Sequence, residues 1–257
     1  MNNHQISQNI IDLGQIVLPY TAPLFQPSIK TRFPEVIGSC VLLRKNDTHM
    51  ASTAAHVIDE NSQSSFYFNP ENNPIDQAKI FSSSIPKNGN RSDDQYDIAI
   101  MVLNNTDIQY FQENKFKFLD IRSITNEDAS SYLALGYPST KTKASLQKMS
   151  INRNPYSILA MRNDISDLKN KKFNDDIHIS IDFNSKKTLV NGVKNIPPNL
   201  GGASGGGLWR LKYDHEGNLN LHLAGTLTDA YPSKKATRFI VSTKVKWMLN
   251  LINQSIP

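Results

Sequence analysis

The sequence predicts an all-β chain that closes on one C-terminal α-helix. Short apolar runs recur between clusters of Asn, Asp, Gly, Pro and Ser, the pattern of strands separated by turns. Two stretches alternate: Ile177, Ile179 and Ile181 against His178, Ser180 and Asp182, and then Leu219, Leu221 and Leu223. A period of two is that of a strand with one apolar and one polar face. Helical spacing is weak until the end, where Val245, Met248, Leu249 and Ile252 share a face behind Ser242-Thr243, a capping pair.

The elements follow in order. Residues 1–30 allow two readings, a first strand at Gln15 to Leu18 or an arm that docks a partner. Val36 to Leu43 is a strand, Lys45-Asn46-Asp47 a turn, and His49 to Thr53 the return strand. Ser65 to Asn69 and Ile98 to Leu103 are further strands, and residues 70–95, rich in Asn, Ser, Pro and Asp, form a long surface loop. The polar stretch Ser123 to Ser131 divides the strands of 30–122 from those of 132–240. The second group holds Tyr132 to Tyr137, Ser157 to Met161 and Ile177 to Phe183; the helix covers 242–254, and 1–257 is one domain.

A chain of 257 residues can bury a real core. Hydrophobic residues at 39% and charged residues at 20% exclude both a disordered tail and a membrane protein. The net charge of +5 comes with scattered basic pairs (Lys171-Lys172, Lys186-Lys187, Lys234-Lys235), a solvated surface rather than a nucleic-acid groove. One cysteine, Cys40, excludes an internal disulfide framework. No Lys or Arg precedes Lys30, and Pro19 interrupts the early run Ile16-Val17-Leu18, so a secretory signal is not expected and the chain reads as cytoplasmic.

Three segments carry chemistry. Thr53-Ala54-Ala55-His56-Val57 ends a strand; of the six histidines only His56 sits among small residues at a strand end, where a ring is held yet reaches a cleft. Asp97, in Tyr96-Asp97-Ile98-Ala99, enters an apolar strand, where a carboxylate half buried by its own strand needs a partner. Leu200-Gly201-Gly202-Ala203-Ser204-Gly205-Gly206-Gly207 surrounds one serine with glycines, so that the amides of Gly202 and Ser204 can face one point and a substrate can approach Ser204.

Together these segments, T-A-A-H, D-I-A and G-x-S-G-G, resemble the three signatures of the trypsin-like (chymotrypsin-fold) serine protease family. The resemblance covers about residues 35–250 and implies two six-stranded antiparallel β-barrels with the active site between them; the separations of 41 and 107 residues suit that arrangement. It implies Ser204 as nucleophile, His56 as general base and Asp97 as the group that holds the imidazole. Gly202 and Ser204 then form the oxyanion hole, and Thr228, Asp229 and Ala230 pair with an extended substrate. Thr228 matches a hydroxyl residue that commonly hydrogen-bonds the Asp. The partner is a protein or peptide substrate, with room for an activator or sensor; neither metal nor other cofactor is called for, and nucleic acid and membrane are not expected partners.

One rival shares a motif. Gly202-Ala203-Ser204-Gly205-Gly206 also fits the α/β-hydrolase elbow, but only 53 residues follow Ser204, and Gly205-Gly206-Gly207 opposes the helix that elbow requires. The chain also departs from digestive members of the family. Ala203 stands where those carry the Asp that binds a freshly cut N-terminus, so that switch is not expected. The pocket-base position that selects Lys or Arg falls near Pro198, which argues against basic specificity; Arg238 is a candidate for favouring an acidic side chain. The expected function is a serine endopeptidase acting in limited, regulated proteolysis; the alternatives are a catalytically silent binding module and an esterase side activity.

Overall fold

A computed structural model describes residues 11–28, 34–60, 65–69, 74–76, 79–86, 89–141, 143–145, 150–152, 154–168, 172–184, 189–190, 193–194, 199–213, 215–216, 219–232 and 237–256. Pro197, Pro198 and the basic residues Lys30, Lys171, Lys186, Lys187, Lys234 and Lys235 lie outside them.

The first half is a six-stranded sheet. Its strands are β1 (Thr21–Pro27), β2 (Pro34–Lys45), β3 (Thr48–Thr53), β4 (Ile80–Ser82), β5 (Ala99–Val102) and β6 (Leu119–Asp120). They run in the order β1-β2-β3-β5-β4, with β6 beside β2. All pairs are antiparallel except β2–β6, which is parallel. Lys45 and Thr48 close the β2–β3 hairpin around Asn46 at φ +52°, a left-handed position asparagine tolerates. The expected strand at Ser65 to Asn69 reduces to a single bridge, Tyr67 with Phe25. Phe66 and Phe68 point into the core instead of continuing a ladder. Residues 70–95 are less uniform than a surface loop, because β4 pairs with β5 there.

The second half is a closed barrel. It contains β7 (Ser131–Gly136), β10 (Tyr156–Asn163), β11 (His178–Asn184), β14 (Gly207–Tyr213), β15 (Leu219–Pro232) and β16 (Thr237–Lys244), closing in the order β10-β11-β16-β15-β14-β7. Two small ribbons project from it: β8 (Lys143–Ser145) with β9 (Ser150–Asn152), and β12 (Leu189–Val190) with β13 (Val193–Lys194). The alternation in β11 holds, but its polar face does not meet water throughout: His178 and Ser180 are as buried as Ile179 and Ile181. Their face of the barrel meets the first half of the chain, where the His178 ring bonds the Gln95 carbonyl.

Four α-helices among the described residues complete the fold. α1 (11–17) occupies the stretch where a first strand at Gln15 to Leu18 was one expectation, so that expectation is corrected. Val17 and Leu13, four apart, lie on one helix face and pack into the core. α2 (Ala55–Asp59) and α3 (Asn105–Glu113) are short. α3 begins where the Asn104 side chain accepts from the Asp107 amide, an N-cap not read in the sequence. α4 (Val245–Ser255) starts three residues later than expected: Ser242 and Thr243 are still in β16, and no side chain caps the helix. β16 continues because Ser242 and Thr243 pair with Leu227 and Thr226 of β15. Val245, Met248 and Ile252 of α4 join Val41, Met50 and Ile100 of the first half and Leu135, Trp209 and Leu223 of the second in one apolar cluster. The terminal helix thus locks the two halves together. Among the described residues no helix is long and apolar enough to cross a membrane.

Candidate active site

His56 is the second residue of α2, immediately past the end of β3. Ala54 and Ala55 are fully buried and anchor the start of the helix, while the His56 ring stays partly exposed. Asp97 grips this turn three ways. Its carbonyl accepts from the Ala55 amide at 3.1 Å, its Oδ1 from the His56 amide at 2.8 Å, and its Oδ2 lies 2.7 Å from His56 Nδ1. A carboxylate only accepts, so it holds the ring proton on Nδ1 and leaves Nε2 as a proton acceptor. The Asp97 side chain is 4% exposed and the His56 side chain 24%, so the carboxylate is sealed while part of the ring stays exposed. Burial is the largest influence on the imidazole and disfavours its charged form. The Asp97 hydrogen bond and charge, with Glu60 and Asp229, act in the opposite direction, and together they raise the His56 pKa above its ordinary value.

Asp97 has φ +47°, a left-handed conformation that costs about 1–3 kcal/mol and persists only where its surroundings impose it. The surroundings do. The preceding carbonyls are held from the barrel, Gln95 by His178 Nε2 at 2.7 Å and Tyr96 by Thr243 Oγ1 at 2.6 Å. The following amide, of Ile98, donates to Ser83 Oγ. His178 is buried, which pushes its pKa down, and the neutral ring donates from Nε2 while Nδ1 accepts from the Asn174 amide.

Ser204 stands in the turn before β14. Its carbonyl accepts from the Ser39 amide of β2 at 2.8 Å. A Cβ built on neighbouring Gly38 would meet Val57 at 2.5 Å and the Ser204 carbonyl at 3.4 Å. The residue after His56 and the serine therefore flank the same point of β2. Among the described hydrogen bonds of His56, none reaches Ser204 Oγ; such bonds often tighten only once substrate is bound. Gly205 has φ +86°, and a Cβ there would lie 2.0 Å from the Ser39 carbonyl and 2.1 Å from Thr53 Oγ1, so only glycine fits.

The amides of this turn divide cleanly. Gly201 donates to Asn199 Oδ1, Ala203 to the Leu200 carbonyl, Gly205 to the Leu227 carbonyl and Gly206 to the Ala203 carbonyl. Among the described hydrogen bonds, the amides of Gly202 and Ser204 alone in 201–206 donate to nothing. These are the two read from the sequence as oxyanion donors. Gly202 has φ +89° and is packed against the Ser139 amide and the Tyr137 carbonyl.

Ser204 opens on a pocket lined by Ala134, Gly136, Tyr156, Ile158, Leu200, Leu227, Thr228, Asp229, Ala230 and Ile240. Thr228, Asp229 and Ala230 thus border the pocket beside the serine. The Thr228 hydroxyl donates to the Val241 carbonyl at 3.3 Å, which corrects the expectation that it bonds Asp97. Its acceptor is already in reach across the β15–β16 ladder, at the register shift between Leu227 and Asp229. Asp229 pairs with Lys172 at 3.3 Å. The Arg238 backbone pairs with Phe183 and Pro232; its side chain lies outside the described residues. The Tyr156 hydroxyl is buried in the pocket wall with no hydrogen-bond partner among the described residues. Among the described residues no three His, Cys, Asp or Glu side chains cluster as metal ligands would.

Sequence reasoning passed over Ser39 and His178. A serine amid the apolar run Val36 to Leu43 and a histidine on a barrel strand are the signals: each is a polar side chain in a setting that buries it.

No protein-family profile matches the chain, and no curated protein sequence matches it. Solved structures do. Neuropsin, a serine protease expressed in the limbic system of mouse brain, aligns with TM-score 0.54 at 16% identity over 93% of this chain and 95% of its own. AL20, a thermostable serine protease from an extremophilic microorganism, aligns with TM-score 0.50 at 16% identity over 92% of this chain and 97% of its own. The fold is that of the chymotrypsin type: mostly β-structure with a closed barrel, a second sheet and a C-terminal helix.

Proposed function

We propose that this chain is a serine endopeptidase that cleaves protein substrates through an acyl-enzyme. The observation that carries the reading is the pairing of two independent features: an imidazole whose proton is pinned on Nδ1 by a buried carboxylate, and two undonated amides around Ser204. In the first step His56 Nε2 takes the Ser204 Oγ proton as Oγ bonds to the scissile carbonyl carbon. The C=O pair moves onto oxygen and is met by the amides of Gly202 and Ser204. The imidazolium, stabilised by Asp97, returns its proton to the departing amine as the C–N bond breaks. Water then repeats the sequence, releasing the carboxylic acid and Ser204.

Residues 228–230, bordering the pocket, suit a substrate that lies extended along β15. The fold is held without a disulfide, and Cys40 is buried with its thiol pushed to higher pKa, which suits the reducing interior of a cell. There the proteolysis is limited and regulated, with a protein activator or sensor as the gating partner. The test is a mass-spectrometric cleavage profile on a peptide library, with Ser204→Ala as control. The reading expects defined cuts that fall by about 10⁴–10⁶-fold in the variant. Cuts that survive in Ser204→Ala, or none by the wild type, would remove it.

A further inference from the structure

Ser39 touches two of the three chemical segments of the site, those of His56 and Ser204. Its amide donates to the Ser204 carbonyl at 2.8 Å, and its carbonyl accepts from Thr53 Oγ1, three residues before His56, at 2.7 Å. Its own hydroxyl, fully buried, donates to the Gly202 carbonyl at 2.8 Å and accepts from the Tyr137 amide at 2.8 Å. Two residues past Tyr137, the Ser139 amide donates to the Gly201 carbonyl at 2.8 Å. The peptide plane before Gly202 is therefore held by one bond, and the plane after it by two, the Ser39 bond to the Gly202 carbonyl and that of the Ala203 amide to the Leu200 carbonyl. Because a trans peptide is planar, with N–H opposite C=O, fixing the Gly201 carbonyl aims the Gly202 amide, and fixing the Gly202 carbonyl prevents the loop from turning about that residue. Glycine at φ +89° has the freedom to flip, so something else must suppress it. Ala203 carries no carboxylate with which to do so.

We propose that Ser39 is a positioning residue that keeps the Gly202 amide aimed at the oxyanion site without cleavage of the chain. The proposal rests on the hydrolase reading above. One hydroxyl of the first half thereby sets the geometry of a loop of the second half. Removing it leaves the Gly202 carbonyl and the buried Tyr137 amide without this partner, and the loop relaxes toward conformations that satisfy them. Binding of the ground-state substrate, which does not use the oxyanion amides fully, is spared.

The experiment compares wild type with Ser39→Ala and Ser39→Cys. The latter keeps the side chain's outline but offers only a weak donor. Each is assayed for kcat and KM on a peptide found in the cleavage profile, and for inhibition by the matching peptide aldehyde and peptide alcohol. The aldehyde is attacked by Ser204 Oγ and places an oxyanion on the amides; the alcohol binds without one. Thermal melting verifies that each protein is folded at the assay temperature, and Ser39→Cys carries the comparison if Ser39→Ala is not. The expected result is a fall in kcat and in aldehyde affinity by the same factor, roughly 10- to 100-fold, with KM and alcohol affinity unchanged. That is below the ~10²–10³ of deleting an oxyanion donor outright. An active wild type whose folded variants lose nothing, or lose aldehyde and alcohol affinity equally, overturns the role of Ser39 alone. A wild type that neither cleaves peptide nor binds aldehyde more tightly than alcohol overturns the hydrolase reading and this proposal with it.

Discussion

Asp97→Asn is the perturbation whose consequences follow most directly from the geometry. Both carboxylate oxygens are occupied as acceptors, Oδ1 by the His56 amide at 2.8 Å and Oδ2 by Nδ1 at 2.7 Å. Asparagine supplies one acceptor and one donor group, so one contact must fail. If the amide oxygen keeps the backbone N–H, the NH₂ group faces Nδ1. The ring proton then moves to Nε2, where it blocks proton uptake from Ser204. If the oxygen keeps Nδ1, the tautomer is right, but the His56 N–H is left facing a donor in a buried site, at about 1–3 kcal/mol. The working arrangement is then a minority of roughly one molecule in 5 to one in 150, since each 1.4 kcal/mol is about tenfold. The charge that stabilises the imidazolium is lost as well, and the total approaches the ~10⁴ typical of such a replacement in a Ser-His-Asp enzyme.

The pH dependence has a definite sign. Asp97 raises the His56 pKa, and its removal leaves burial, which lowers it, as the largest influence. The acidic limb of kcat/KM, which rises as the ring becomes neutral, therefore moves to lower pH in Asp97→Asn while the plateau falls. Stability moves in a linked way. A folded-state pKa raised above the unfolded value of about 6.5 contributes stability that is fully present below that pH and is lost as pH rises through the folded value. The wild type should exceed Asp97→Asn in stability by more at pH 6 than at pH 9, measured by urea denaturation. Rates within tenfold of wild type at pH 8, with an unshifted profile, would refute the reasoning.

Two further outcomes are expected. Gly205→Ala forces φ +86° on a residue with a Cβ and drives that atom into the Ser39 carbonyl, so β2 must move off the Ser204 turn. Strain of about 1–2 kcal/mol, with about 1 kcal/mol for each of the two backbone bonds that anchor the turn (Ser39 to Ser204 and Gly205 to Leu227), gives a destabilisation near 3–4 kcal/mol by urea titration. Gly89→Ala, at φ +73° with open space around it, should cost only the strain. Equal costs at the two positions would contradict the packing argument. Thr228→Val should change kcat/KM less than about threefold, because its hydroxyl is engaged by Val241 and away from Asp97; a loss of two orders of magnitude would mean that this hydroxyl acts on the carboxylate after all.

Much of this was legible in the sequence because it is local. The alternation in β11 and the hairpin turn at Asn46 are written in adjacent residues, and so are the glycines beside Ser204. The start of α4 was misplaced because Ser242 and Thr243 suit a helix cap, yet the β15–β16 ladder pairs both and overrides local preference. α3 escaped notice because its cap, Asn104, precedes a polar sequence with little apolar periodicity. Ser65 to Asn69 has strand composition but bridges only at Tyr67, since its phenylalanines are taken by the core. The contacts that organise the site, Ser39 with Gly202 and His178 with Gln95, join residues 163 and 83 positions apart, and nothing in either neighbourhood names the other.

The central claim is that Ser204 is a nucleophile activated by the His56–Asp97 pair. Intact-protein mass spectrometry after exposure to a fluorophosphonate, followed by peptide mapping, tests it most directly. The expected result is a single adduct on Ser204 in the wild type, none in Ser204→Ala, and labelling slowed by at least about 10³-fold in His56→Ala. An unlabelled wild type, an adduct on a different serine, or undiminished labelling in His56→Ala would contradict it.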